Sequence, residues 1–377
     1  MKKVAPVLAA AMVALACSLP GGLFAGSSPP TQTASPQAPT ETQVPPTPLP
    51  PSPTPLPPAI NVETVSGLSR FMSFADGEMV RSLAFSPDGT ALAAAVGDEA
   101  GTIRLYEVAY GLPLRTLKGH ESIVWGLAFS PDGRWLASAG RDKTARVWDW
   151  RSGFQLQAIK YADEVVSVAF SPDSRTLAVG GGDQWPNAAI WTYTVDSWQP
   201  WMKMAEFWNI PDIAYSPDGM LIVGGGTSRN VRVWRTTDGS EQFVFNHPGQ
   251  VSSVAVSPDG SLVATGLCEA SEAATSQCTR GAVWLWDLAS GELIHKMSDF
   301  PEGVESVAFS VDGSLVIGGS RDGTLRAYAT SDYRPALVTT SPGGSTSTSL
   351  LALALSSDGR FLATGGIGKI NLWRVEP

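Results

Sequence analysis

A four-residue turn of the form Ser-x-Asp-Gly recurs seven times along this chain, beginning at Ser86, Ser130, Ser171, Ser216, Ser257, Ser310 and Ser356, with Ser174 in the glycine place of the third copy. The six intervals cover 270 residues, or 45 apiece on average. An apolar alternation precedes each turn, as in Leu83-Ala84-Phe85 or Val168-Ala169-Phe170, and a second apolar run follows, as in Trp135-Leu136-Ala137 or Leu262-Val263-Ala264. Period-two alternation around an Asp-Gly turn reads as a β-hairpin. Hairpins repeating every 40–45 residues or so read as the four-stranded antiparallel blades of an all-β propeller, here seven of them. The turn aspartates, Asp88, Asp132, Asp173, Asp218, Asp259, Asp312 and Asp358, resemble an acid row, but Asp at this place bonds the local backbone and forms the turn.

A third strand closes on an aromatic residue in every repeat: Tyr106, Trp148, Trp191, Trp234, Trp286, Tyr328 and Trp373. Two of these read Trp-Asp, at Trp148-Asp149 and Trp286-Asp287, and a Gly-His pair stands at Gly119-His120. In these features the chain, from about Val62 to Pro377, resembles the WD-repeat β-propeller family. The resemblance implies a buried hydrogen-bond set on His120, Ser138, Asp142 and Trp148, complete in the second repeat alone. The family's Trp-Asp is replaced by Trp234-Arg235, Trp373-Arg374, Trp191-Thr192 and Tyr328-Ala329 elsewhere. Resemblance therefore speaks to the fold and names no partner.

An open propeller leaves an unpaired edge strand, so such rings close their last blade with a strand from the other terminus. The last repeat ends its third strand at Leu372-Trp373-Arg374, three residues before the chain stops, while Leu68–Phe74 aligns with the fourth-strand stretch Leu114–Leu117. Leu68–Phe74 is thus expected to complete the seventh blade. Each blade is expected to hold a small core of its own.

Residues 1–16 read as a signal peptide. Lys2 and Lys3 precede the apolar run Val4–Ala16, which is too short for a bilayer needing about 20 residues. Ala14-Leu15-Ala16-Cys17 resembles the bacterial lipoprotein cleavage box, with Ala14 where Leu is commoner. That resemblance implies an acylated Cys17; the other reading is an ordinary secretory signal cut near Ala16 or Ala25. Residues 17–59 would then carry the lipid and a disordered stalk, for 13 of the 32 residues in 27–58 are proline and favour extended polyproline II. The propeller would occupy residues 60–377. A proline-rich ligand for a recognition domain is the rival reading of the stalk.

Cys268 and Cys278 remain, flanking an insertion, Glu269–Gln277, in the fifth repeat. Outside the cytoplasm two such cysteines favour a disulfide, and no Cys-x-x-Cys or nearby His supports a metal site. The net charge of −9 disfavours nucleic acid, whose affinity rests on Lys and Arg neutralising phosphates. Contact with a membrane is expected through the lipid alone, and the protein is expected to be a monomer.

Catalysis is not expected. His120, His247 and His295 fall in different places of the repeat, and no Gly-x-Ser-x-Gly elbow, His-Glu-x-x-His pair or phosphate-cradling loop occurs, so neither a catalytic set nor a metal or other cofactor is assigned. In the family, the face bearing the loops into the first strand commonly carries partners. The residues at the head of that strand are Arg81, Trp125, Val166, Pro211, Ser252, Glu305 and Leu351, a ring about the channel mouth, with Arg141, Trp185, Arg229 and Arg321 on nearby loops. Trp and Arg dominate interface hot spots, which singles out Trp125, although it can equally pack flat on its neighbours. Five tryptophans fall within 24 residues, and Trp198 with Trp201, if exposed as a pair, would stack on sugar rings or a peptide. The expected function is a noncatalytic protein- or peptide-binding scaffold outside a bacterial membrane. The alternatives are an extracytoplasmic carbohydrate binder or hydrolase, a secreted form and a cytoplasmic scaffold.

Overall fold

All seven Ser-x-Asp turns are built alike. The serine hydroxyl donates to Oδ1 of the aspartate at 2.5–2.6 Å and accepts the N–H five residues on at 2.8–3.0 Å. Every one of these serines is buried. The hydroxyls of Ser171, Ser216 and Ser257 hold the Asp173, Asp218 and Asp259 carboxyls below the usual carboxylate range. The aspartates are turn formers, each bonding within its own hairpin.

A computed structural model describes residues 56–97, 99–182, 188–204, 210–272, 275, 277–340 and 349–376, with the backbone alone at 75–77 and 340. The signal segment, Cys17, nearly all of the stalk and Trp185 lie outside the described residues. Thr54–Pro377 forms one compact unit of antiparallel sheets. Five sheets have four strands; the sixth has six, because Leu68–Phe85 and Phe361–Val375 each run through two strand positions. Pairing runs from Leu68↔Val375 to Ala75↔Lys369, and Val80–Phe85 then pairs with Ala91–Val96. The described residues thus form seven four-stranded blades, with Leu68–Ala75 as the outer strand of the seventh. Inner strands of successive blades touch around the full circuit, the first against the seventh included.

The cores lie between blades, which corrects the expectation of one core within each. Leu105 and Leu117 of the first blade pack with Leu136 and Trp148 of the second, and Val147 of the second packs with Val165 and Tyr193 of the third. A four-stranded sheet cannot bury its own face, so each face is covered by the neighbouring blade.

A second correction concerns the third blade, Val165–Phe170, Thr176–Gly181, Ala189–Thr194 and Pro200–Met204. Leu177 pairs with Tyr193 as Leu136 pairs with Trp148, so Tyr193, not Trp191, fills the core place. Both side chains lie on one face of the strand, and only pairing selects between residues two apart. Trp191 is half-buried, with Lys203 Nζ 5.3 Å from its ring centre.

Candidate functional site: the channel mouth

Six of the seven inner strands begin with a break in their ladder; the fourth, Asp212–Tyr215, pairs without one. The register with the second strand shifts at Val80/Ser82, Val124/Gly126, Val251/Ser253, Val304/Ser306 and Leu350/Ala352, and in the third blade between the partners of Gly180 and Gly181. Arg81, Trp125, Val166, Ser252, Glu305 and Leu351 are the residues left over, each the extra residue of a β-bulge. A bulge turns its side chain out of the ladder. In the fourth blade Pro211 stands immediately before the strand Asp212–Tyr215, where its missing N–H leaves no donor unpaired. All seven side chains line one cavity of about 510 Å³ at the head of the inner strands.

Arg321 joins that lining, its Nη2 2.6 Å from Glu305 Oε1. Burial pushes the Glu305 carboxyl up, against the pull of Arg321 and Arg81. The Arg81 guanidinium lies over the Trp125 ring, 4.8 Å from its centre, and burial lowers its pKa while Glu305 opposes the change. Trp125 is half-buried, so part of it does pack on a neighbour. Its Nε1 and the Nε of Arg81 are buried without a hydrogen-bond partner among the described residues. Arg141 and Arg229 are not in the cavity wall. Arg141 instead holds Glu164, a wall residue, at 3.0 Å, and Arg229 is exposed in a left-handed turn with φ 65°.

One residue deeper, the strands are laced together. Ser82 Oγ accepts the Leu127 N–H of the next blade at 3.1 Å, and Asp212 Oδ2 accepts that of Val254 at 2.9 Å. Sequence reasoning missed Asp212 and Glu164. Aligning the repeats one place past the bulge gives Ser82, Gly126, Ser167, Asp212, Ser253, Ser306 and Ala352, among which a single charge was the available signal.

Away from the mouth, His120 Nδ1 lies 3.0 Å from Asp142, His120 Nε2 lies 2.7 Å from Ser138 Oγ, and Trp148 Nε1 donates to that oxygen at 2.9 Å. Burial works against the Asp142 charge, yet bonds from His120, the Glu121 N–H and Thr144 hold its carboxyl well below the usual range. His247 bonds Thr265 Oγ1 at 3.0 Å, and burial pushes it down to about 4. His295 stacks on Tyr333 in an outer strand. Cys268 and Cys278 are joined as a disulfide across the long hairpin of the fifth blade. Trp198 and Trp201 are not an exposed pair: Trp198 packs against the core between the second and third blades, and Trp201 alone is open, at 61 %. Among the described residues, no three His, Cys, Asp or Glu side chains come together as metal ligands.

Six segments match the family model described as "WD domain, G-beta repeat": residues 70–107, 111–149, 155–185, 206–235, 239–287 and 291–328, more than half of the chain. The chain belongs to the WD-repeat family. The inner three strands of its seventh blade lie beyond the last matched segment and show the same strand pairing. Among curated proteins, the chain is similar to telomerase protein component 1 of Rattus norvegicus, 27 % identical over 45 % of this chain and 6 % of that protein. It is also similar to eukaryotic translation initiation factor 3 subunit I of Aspergillus terreus, 33 % identical over 33 % of this chain and 34 % of that one. A third relative is the small ribosomal subunit protein RACK1y of Oryza sativa, 36 % identical over 26 % of each. The chain spans about a third or less of the length of these relatives.

Proposed function

We propose that this WD-repeat protein is a noncatalytic platform whose channel mouth grips a segment of a partner protein, on the outer side of a bacterial membrane. The observation that carries the reading is the convergence of seven bulged or proline-led residues on one cavity, with the stacked pair Arg81 and Trp125 in its wall. An aromatic ring and a guanidinium with unmet donors are the chemistry of interface hot spots. Membership of a family of protein-interaction scaffolds supports the same reading, as do relatives named as subunits of larger assemblies. Lipid on Cys17 and a proline-rich stalk to residue 59 would hold the propeller clear of the membrane, with no metal or cofactor taking part.

Crosslinking pull-down from intact cells tests the site, comparing the wild type with Arg81→Ala plus Trp125→Ala. A specific extracytoplasmic protein lost from the double variant supports the platform; the same partners recovered by both would remove the mouth from consideration. Detergent partitioning of Cys17→Ser tests the anchor. The variant should move to the aqueous phase, and unchanged partitioning would overturn lipidation.

A further inference from the structure

A second cavity, of about 490 Å³, opens between the third and fourth blades near the Ser-x-Asp turns, at the strand ends opposite the mouth. Its size falls within the roughly 300–1,000 Å³ range of small-ligand clefts. Seven repeats provide an internal control for its chemistry. The cavity wall contains Thr192, where the strand pairing places Leu105, Val147, Val233, Leu285 and Ala327 in other blades. It contains Thr176, where the others place Ala91, Leu221, Leu262 and Leu315, and Trp135 and Phe361 stand at the same step before the second strand. It contains Tyr215, where Phe85, Phe129, Phe170, Val256, Phe309 and Leu355 close the other inner strands. At each of these three places this interface alone carries a hydroxyl.

Two of the hydroxyls meet each other, Thr176 Oγ1 and Tyr215 Oη lying 3.1 Å apart. The third does not. Thr192 is 3 % exposed, and its Oγ1 has no hydrogen-bond partner among the described residues. An unpaired buried hydroxyl costs about 1–3 kcal/mol, so a valine would serve the bare fold better. At the rim, the register shift between Thr192 and Tyr193 leaves Trp201 as the bulged residue of the outer strand, a cavity-lining residue that is 61 % exposed.

We infer that this crevice is a binding site for a neutral carbohydrate. Trp201 offers a flat apolar face for a pyranose ring, and the three hydroxyls, each both donor and acceptor, match the alternating donors and acceptors of a polyol. Asp173 and Asp218 also reach the wall, but such carboxylates recur in all seven turns and do not distinguish this crevice. What distinguishes it is uncharged, which favours a sugar over an ammonium-bearing ligand. The site is independent of the channel mouth and does not rest on the proposed partner binding.

The test is isothermal titration calorimetry of the full 377-residue protein with maltotriose, cellotriose, chitotriose and mannotriose, and separately with tetramethylammonium chloride. Each is taken to about 10 mM, roughly ten times the 1 mM dissociation constant of a weak complex. Saturable binding of at least one trisaccharide is expected, weakened about tenfold or more by Trp201→Ala and by Thr192→Val. The second variant restores the side chain of Val147 and should melt at or above the wild-type temperature, which separates lost recognition from lost folding. No saccharide binding by the wild type, saccharide binding that survives both substitutions, or binding of tetramethylammonium alone would each overturn the inference.

Discussion

The Ser253 hydroxyl of the fifth blade donates to Asp212 Oδ2 of the fourth at 2.8 Å. The same serine oxygen accepts the Val307 N–H of the sixth blade at 3.2 Å. Two side chains thereby tie three blades together beneath the channel mouth. By surface area Asp212 is half-buried, with a face towards the channel, but its carboxylate is held deep among the strands and burial pushes it up to about 6.

A carboxyl that binds its proton more tightly in the folded state than in the unfolded chain makes stability fall as pH rises between the two pKa values. For Asp212 this window runs from its ordinary 3.8 to about 6, and the loss levels off above it. The full loss is at most about 3 kcal/mol. Turn carboxyls such as Asp259 are held low and act in the opposite sense, losing stability as pH falls through their lowered values. Urea unfolding of wild type and Asp212→Asn at several pH values isolates the first effect. Asparagine keeps an acceptor and cannot ionise, so the variant should gain on the wild type steadily from pH 4 to pH 6; parallel curves would refute the assignment.

Ser138 carries a double load. With the Nδ1–H of His120 directed at Asp142, Nε2 accepts the Ser138 hydroxyl, whose oxygen accepts the Trp148 indole N–H. Ser138→Ala leaves both ring nitrogens buried and unmet, at a cost of about 2–4 kcal/mol. Thr364→Ala in the seventh blade strands the Trp373 Nε1 alone, whose bond to Thr364 Oγ1 is 2.9 Å, and should cost about half as much. Chemical denaturation of the two variants side by side checks the ratio, and equal losses would show that the histidine bond contributes little.

What was legible in the sequence follows the period of the repeat. Turn serines and aspartates, the ring from Arg81 to Leu351 and the closing strand at Leu68 all sit at fixed offsets from a recognisable turn, so counting locates them. Counting fails where two residues share a strand face. Trp191 and Tyr193 are such a pair, and only cross-strand register chooses between them. It also fails for properties that belong to two blades at once. Thr192 reads as a neutral strand residue until the wall of the fourth blade is brought against it, and Asp212 reads as a loop charge until Ser253 meets it from the next repeat.

The Cys268–Cys278 bond closes a hairpin whose ladder already runs to Ser271↔Cys278. A loop this short yields about 3 kcal/mol in the chain-entropy account, and the existing strand pairing makes that an upper value. Cys268→Ser with Cys278→Ser is expected to lower the melting temperature by a few degrees while preserving the near-ultraviolet circular dichroism of the tryptophan cores. Loss of the folded signal at room temperature would show that the bridge is required for the blade itself.

Closure of the ring supplies the sharpest test of the architecture. Residues 60–75 contribute the outer strand of the seventh blade, from Leu68↔Val375 to Ala75↔Lys369. They also supply Ile60 and Val65, each 1 % exposed in the core between the sixth and seventh blades, and an Ile60 N–H bond to the Gly359 carbonyl at 2.7 Å. Deleting them strips about 3–5 kcal/mol of apolar burial at those two side chains alone and bares the ladder edge of Phe361–Val375. A drop in melting temperature of roughly 10 °C or more is expected, together with concentration-dependent association through the exposed edge. Val65→Ala, which keeps the strand and trims one core side chain, should shift the melt by only a few degrees and leave the association state that of the parent. If the deletion melts with the parent, the seventh blade does not depend on this strand.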